Sequence, residues 1–283
     1  MPSSPVLSSA TPLDDAVLDS LAETFAMLCV SAGKAIMAVY AGGCHNVRVK
    51  DDKSPVSEAD ELGEAVIVSG LKAAGIQLPI VAEEACAQSG KPRLEARYVL
   101  VDPLDGTREF LNRNGEFTVN IGLIDQTRPV AGAVYAPALG RLWFAGRRAV
   151  TCTVAPGAPL PPIGERTVLR TRACPSLDMV ALASRSHADA QTEAFLANLP
   201  IGDRRAAGSS LKFCVLADGT ADVYPRFGPT MEWDTAAGDA VLRAAGGIVL
   251  RPDGEMFDYG KAGYRNGPFV AWADPSAAQA HAG

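Results

Sequence analysis

Two aspartates, Asp102 and Asp105, bracket a turn in the stretch DPLDGTREF (102–110), directly after the apolar run Tyr98, Val99, Leu100, Val101. Gly106 follows, and then Thr107, whose hydroxyl suits the start of a helix. Two chemistries fit this spacing. Aspartate, proline and glycine make turns on their own account. Alternatively, paired carboxylates beside a glycine and a threonine can hold a hard metal ion next to a phosphoryl group, because hard cations take oxygen ligands and glycine lets the backbone approach an anion.

Further carboxylates stand where elements end. Glu83 and Glu84 follow the strand-like PIVA, Asp234 opens a helix in EWDTAAGDA, and Asp60 falls in the first turn of a helix after SPVS. Singly, each has a structural alternative: a helix-dipole residue, an N-cap or a solvated loop edge. Together they suggest a cation cluster, since several buried ionised carboxylates cost several kcal/mol per charge without positive partners. Two or more magnesium ions, roughly 3.5–4 Å apart, could be held by Glu83, Asp102, Asp105, Asp234 and the Leu104 carbonyl. The Gly106 and Thr107 amides would then face a phosphoryl oxygen, and Asp60 accepting the Thr107 proton would orient an attacking water.

The elements that must position these groups can be read from periodicity. Between Asp14 and Tyr40 the residues Val17, Leu18, Leu21, Phe25, Leu28, Ile36 and Val39 follow helical spacing, with Gly42-Gly43 ending the pattern. Ser57-Glu58-Ala59-Asp60 begins a second helix in capping-box form, continued by Leu62, Ala65, Val66 and Leu71 as far as Gly75. From 79 to 154 short apolar runs alternate with turns, as in a meandering sheet. The proline-rich stretch 155–167 marks a boundary, dividing a loose tail (1–13), an α+β lobe (14–160) and an α/β lobe (161–283). In the last of these, strands such as VALASR, DVYPR and GGIVL alternate with helices near 188–198, from Ser209, and over 234–245.

Composition narrows the classes. With 283 residues, 48% hydrophobic and 20% charged, the chain has an ordinary globular make-up. A net charge of -6 argues against general affinity for nucleic acid polymers. The N-terminal MPSSPVLSSATP lacks the basic start and apolar core of a secretory signal, and no uninterrupted apolar run reaches membrane-spanning length, so the cytoplasm is the default. Six scattered cysteines without a CxxC pair read as buried thiols, and three histidines are too few for a histidine-rich metal site. Neither a P-loop nor a dinucleotide glycine fingerprint is present.

The pairing of DPLDGT (102–107) with WDTAAG (233–238) resembles the magnesium-dependent, lithium-sensitive phosphatases that include inositol monophosphatase and fructose bisphosphatase. That resemblance implies a layered α/β/α/β/α sandwich of two lobes, with two or three Mg2+ ions at the seam. The stretches SPVSEAD (54–60), REFLNRNGEFTVN (108–120), SRSHAD (184–189), GSSLKFC (208–214) and YPRFGPT (224–230) are similar to the bisphosphate nucleotidase branch. The implied substrate is the small nucleotide 3'-phosphoadenosine 5'-phosphate, left over when activated sulfate has been used, and the products are AMP and phosphate.

The resemblance implies Glu83, Asp102, Asp105, Asp234 and the Leu104 carbonyl as metal ligands, with Glu83 also catalytic, and Asp60 and Thr107 as the water-activating pair. Gly106, Thr107, Ser184, His187, Ser209, Ser210, Lys212, Arg226 and Asp234 fall in motifs that hold the substrate. Lys212 and Arg226 would meet the phosphate that is not cleaved, Arg226 as a bidentate fork. Two alternatives stand beside this reading: an inositol monophosphatase or fructose bisphosphatase activity, and a non-catalytic nucleotide sensor. No basic amphipathic helix calls for a membrane, although peripheral association with its inner face is left open, as is the oligomeric state.

Overall fold

The computed structural model describes residues 7–42, 48–49, 55–56, 58–90, 95–184 and 189–281. His187, Ser57 and residues 1–6 of the N-terminal tail therefore lie outside the described residues. Chain order begins with α1 (Asp15–Gly42), a two-residue pair β1 (Arg48–Val49) and β2 (Pro55–Val56), and α2 (Glu58–Ala73). The first sheet then follows: β3 (Ile80–Ala82), α3 (Glu83–Ser89), β4 (Arg97–Asp105), α4 (Thr107–Leu111), β5 (Thr118–Asp125), β6 (Arg128–Ala136), β7 (Arg141–Ala145), β8 (Ala149–Thr153) and β9 (Thr167–Val168). Its seven strands lie in chain order, β3 parallel to β4 and every later neighbour antiparallel.

The remainder comprises β10 (Met179–Ser184), α5 (Ala190–Ala197), β11 (Ile201–Ala207), α6 (Leu211–Ala217), β12 (Val223–Arg226), β13 (Thr230–Met231), α7 (Glu232–Ala245), β14 (Ile248–Leu250), β15 (Arg265–Asn266), β16 (Phe269–Trp272) and α8 (Pro275–Ala280). Five of these strands form a mixed sheet in the order β11-β10-β12-β16-β14, while β13 and β15 pair separately.

Three cores define the layers. On the outer face of the first sheet α1 buries Leu21, Phe25, Cys29 and Ile36, one stripe at helical spacing, against Ile121, Ala133 and Phe144. By length and composition α1 would pass for a membrane span, and 39% of its most apolar window is buried inside the protein. Between the two sheets lie α6 and α7, whose Phe213, Leu216, Trp233, Ala236, Val241 and Leu242 join Leu100, Val134, Tyr224 and Phe269. Beyond the second sheet, Leu196 of α5 and Ala278 of α8 close on Met179, Val223 and Trp272. The order is α/β/α/β/α, as the sequence implies.

The small residues of WDTAAG serve packing. Gly122 of β5 sits opposite Gly132 of β6, and a Cβ on either would lie 2.9 Å from backbone atoms of Ala237. The sheet thus gives up two side chains so that α7 can approach it closely. Gly238 meets Phe213 of α6 in the same way, at 2.6 Å from an added Cβ. Asp234 and Thr235, in the first turn, are the motif's polar contribution to the seam, and both line its cavity.

The two lobes interlock more than a cut at 160/161 allows. Strand β9, at 167–168, still pairs with β8 of the first sheet, and α7 from the second half packs on β4 through β8. Proline density tracks the chain's excursion between β8 and β9 here, not its departure from the first sheet.

Candidate active site

Strand β4 carries both aspartates of DPLDGT, because it runs on through Asp105 with an irregularity between the two. Asp102 stands opposite Asn120 and Asp105 opposite Thr118 on β5. Asp102 Oδ1 accepts the Leu104 amide at 3.0 Å, which closes the bend locally. Gly106 then adopts φ +91°, a left-handed conformation that costs a side-chain-bearing residue about 1–2 kcal/mol, and α4 begins at Thr107. Because α4 spans only five residues, anion affinity at its start would rest on local amides and hardly on a macrodipole.

The Thr107 hydroxyl lies 3.4 Å from Asp60 Oδ1 and 3.4 Å from the Leu104 carbonyl, so its one proton has two acceptors within reach. Asp60, in the first turn of α2, is buried. Asp234 Oδ2 accepts the Met231 amide at 2.8 Å, which caps α7. These contacts bring Asp60, Leu104, Asp105 and Thr107 to one corner.

Electrostatics tie the remaining carboxylates to it. Burial lifts the Asp102 carboxyl well above the usual range, and Glu83, Asp105, Asp234 and Asp60 lift it further. Asp234 is raised in the same way, by burial first and then by Asp105 and Glu83. Asp105 is raised by burial, an effect opposed by hydrogen bonds from Ser209 and Ser210 and by the charge on Lys212. Such a cluster keeps its full negative charge only beside a cation.

Magnesium fits the donor set. All the side-chain donors are carboxylate or hydroxyl oxygens, without a nitrogen or sulfur ligand, which favours a hard divalent ion. Among the described residues no group of three Asp, Glu, His or Cys side chains is drawn in as a preformed cage, so the fit rests on donor type and charge.

Glu83 follows the strand PIVA, as the sequence reads, and the structure makes it the first residue of a short helix, α3. The cause lies twenty positions away. Buried Glu64 on α2 accepts the amides of Glu84 at 2.7 Å and Ala85 at 2.8 Å, one with each carboxylate oxygen. A carboxylate at that helix start satisfies two orphan donors, as a capping side chain would. Sequence reading missed Glu64, which looks like any polar residue of an amphipathic helix. Glu64→Ala is expected to unfold at lower temperature, since an unsatisfied buried amide costs about 1–3 kcal/mol. It should also weaken magnesium binding by calorimetry, with Glu64→Gln intermediate because it keeps one acceptor.

A second network, of which the sequence singles out Ser209, Ser210 and Lys212 but not Thr118, Asn120 or Glu116, organises Asp105. The Ser209 hydroxyl and the Ser210 amide both donate to Asp105 Oδ2 at 2.6 Å. Thr118 bonds both serine hydroxyls, and the Ser210 hydroxyl donates to Asn120 Oδ1 at 2.8 Å. Glu116 accepts the Gly208 amide at 2.8 Å. Beneath this loop Lys212 is buried and donates to the carbonyls of Ala207 at 3.0 Å and Ser209 at 2.7 Å. Burial pushes its ammonium pKa down to about 8 despite the charge of Asp105.

A cavity of about 290 Å3 opens above these groups, lined by Asp105, Gly106, Thr107, Ser209, Ser210, Lys212, Arg226 and Asp234 among others. Arg108, Glu109, Tyr224, Pro229 and Thr230, which the sequence left without a role, complete much of its wall. Arg226 Nη2 makes one long bond, 3.4 Å to the Pro229 carbonyl, and its Nε is buried without a hydrogen-bond partner among the described residues. Ser184 ends β10, and its side chain, like His187, lies outside the described residues.

Five alternating layers with a carboxylate-rich cavity at their seam define an inositol-monophosphatase-like sandwich. Residues 18–281 match the inositol monophosphatase family, and the chain belongs to it. It is 44% identical over 234 residues to the 3'(2'),5'-bisphosphate nucleotidase CysQ of Shigella flexneri, covering 82% of this chain and 91% of that protein. Identity to the CysQ of Buchnera aphidicola is 37% over 245 residues, 82% of this chain and 84% of that one. Among solved structures, CysQ from Bacteroides thetaiotaomicron superposes with a TM-score of 0.74 at 35% identity, covering 89% of this chain and 97% of that one. An IMPase from Thermotoga maritima, at 23% identity and TM-score 0.70 over 90% of this chain and 92% of its own, shares the fold.

Proposed function

We propose that this protein is a magnesium-dependent 3'(2'),5'-bisphosphate nucleotidase that hydrolyses 3'-phosphoadenosine 5'-phosphate to AMP and phosphate. The observation that carries the chemistry is the group of carboxylates whose charges act on buried Asp102, namely Glu83, Asp105, Asp234 and Asp60, of which Asp105 and Asp234 line the cavity. The 44% identity to a protein of that named activity supports the substrate.

Glu83, Asp102, Asp105, Asp234 and the Leu104 carbonyl would hold magnesium, two or three ions in all. When bound, the metal lowers the pKa of a coordinated water and offsets charge on the leaving oxygen. Thr107 would donate a hydrogen bond to Asp60 while keeping its proton, leaving its hydroxyl lone pairs to accept from an attacking water and orient it toward phosphorus. Catalysis would proceed by direct attack of water. The Gly106 and Thr107 amides, on residues that line the cavity, would steady the phosphoryl oxygens.

The open Nε of Arg226 supports its assignment to the phosphate that is not cleaved. Lys212, with two of its protons committed to backbone carbonyls, would act chiefly by charge and by holding the serine loop. Ser184 and His187 would complete the nucleotide contacts. A cytoplasmic location suits this substrate.

The deciding assay compares phosphate release from 3'-phosphoadenosine 5'-phosphate, inositol monophosphate and fructose bisphosphate, with magnesium and then with excess chelator. Chelator-sensitive preference for the adenine nucleotide is expected. Preference for inositol or fructose phosphate would keep the metal site and reject the substrate, and binding without turnover would favour a sensor.

A further inference from the structure

We propose a second anion site, remote from the active-site cavity, that takes a phosphate-bearing small molecule with an apolar portion. It is a cavity of about 370 Å3 lined by Arg148, Arg170 and Arg243, with Ala149, Val168, Leu169, Ala244, Ala245 and Gly246. No carboxylate is among these lining residues, in a protein whose net charge is -6.

Strand register explains how the arginines meet. Val150 pairs with Val168 across β8 and β9, and the Leu169 amide donates to the Ala149 carbonyl at 2.9 Å, which continues the ladder. Arg148 and Arg170 lie just beyond that bond, at the ends of the two strands, both exposed and both lining the one cavity. Like charges brought together in this way repel each other. Among the described residues neither guanidinium is bonded to a carboxylate, whereas Arg147, next in sequence, lies within ion-pair distance of Asp15 and Asp19. An anion bridging Arg148 and Arg170 would relieve that repulsion, and the planar fork of each suits phosphate oxygens.

The third arginine is fixed in place. Arg243 Nε pairs with buried Asp239 at 2.7 Å and Nη2 donates to the Val249 carbonyl at 3.1 Å, so it supplies a rigid wall with its charge largely matched. The Thr171 amide donates to the Ala245 carbonyl at 3.0 Å, which fastens the strand after Arg170 to the end of α7. Val168, half-exposed at 51%, and the alanines of α7 leave an apolar flank. A concave site of this volume suits a small ligand, since small-molecule pockets run from about 300 to 1,000 Å3. The acidic protein as a whole would repel an extended polyanion.

Phenylphosphonate, which phosphomonoesterase chemistry does not cleave, is titrated calorimetrically into the chelator-treated protein. Arg148→Gln/Arg170→Gln should weaken one binding component at least about tenfold, while Arg226→Gln, which alters the active-site cavity, should leave it intact. Without ligand, the double variant should melt no lower than the parent, because it removes a like-charge pair. An isotherm unchanged in the double variant, or binding abolished by Arg226→Gln alone, would overturn the proposal.

Discussion

Asp105→Asn is expected to cut phosphate release at saturating substrate by more than the 10–100-fold typical of an outer partner of a metal ligand. The substitution removes charge with little change in volume, and asparagine retains an oxygen to accept from the Ser209 hydroxyl or the Ser210 amide, so the serine loop should keep its place. Stability supplies an independent readout. Burial already holds the Asp105 carboxyl above its usual pKa, so with chelator present the variant should melt no lower than the parent. On adding magnesium the parent gains stability, about 2.7 kcal/mol at a hundred times the dissociation constant, and the variant gains much less. Unchanged turnover at saturating magnesium would remove Asp105 from the ligand set.

Lys212→Met tests the opposite charge in the same corner. The side chain donates to Ala207 and Ser209 carbonyls, and each carbonyl left unpaired costs about 1–3 kcal/mol, partly offset because an ammonium no longer has to be buried. Activity should fall about 10–100-fold as the loop that presents Ser209 and Ser210 loosens. The pH dependence carries its own sign. With the folded pKa depressed to about 8 from 10.5, the unfolded chain holds the Lys212 proton over that interval and the folded chain does not. Stability from this group therefore rises as pH goes from about 8 to 10.5 and is lost as pH falls back through 8. The methionine variant lacks that component, so its stability deficit should widen over the same range in denaturant titrations.

The parts of the site that were legible in the sequence are those whose chemistry is local. Asp102, Asp105, Gly106 and Thr107 announce themselves within six positions, and α1, α2 and α7 follow from apolar spacing. What escaped depends on partners distant along the chain. Nothing near Glu83 indicates a helix, because its capping carboxylate belongs to Glu64. Thr118 and Asn120 look like ordinary polar positions of β5 until β5 lies beside Ser209 and Ser210, some ninety residues later. Ser209, Ser210, Lys212 and Arg226 were singled out only through resemblance to a family, and the bonds that tie Ser209 and Ser210 to Asp105 and Asn120 are tertiary. Proline density suggested a boundary at 160/161 without revealing that β9 rejoins the first sheet.

The close seating of α7 on Gly122 and Gly132 bears on the order in which the molecule matures. Asp102 and Asp105 lie on the first sheet and Glu83 begins α3 directly after β3, whereas Asp234 arrives only on a helix that must be held between both sheets. During synthesis the first sheet can emerge and pair well before α7 exists, since domains form progressively from the N-terminus. An unfinished chain would then carry only part of the proposed ligand set. With the proposed ligands, magnesium affinity would be a gauge of completed assembly, rising when the last long-range docking step is made.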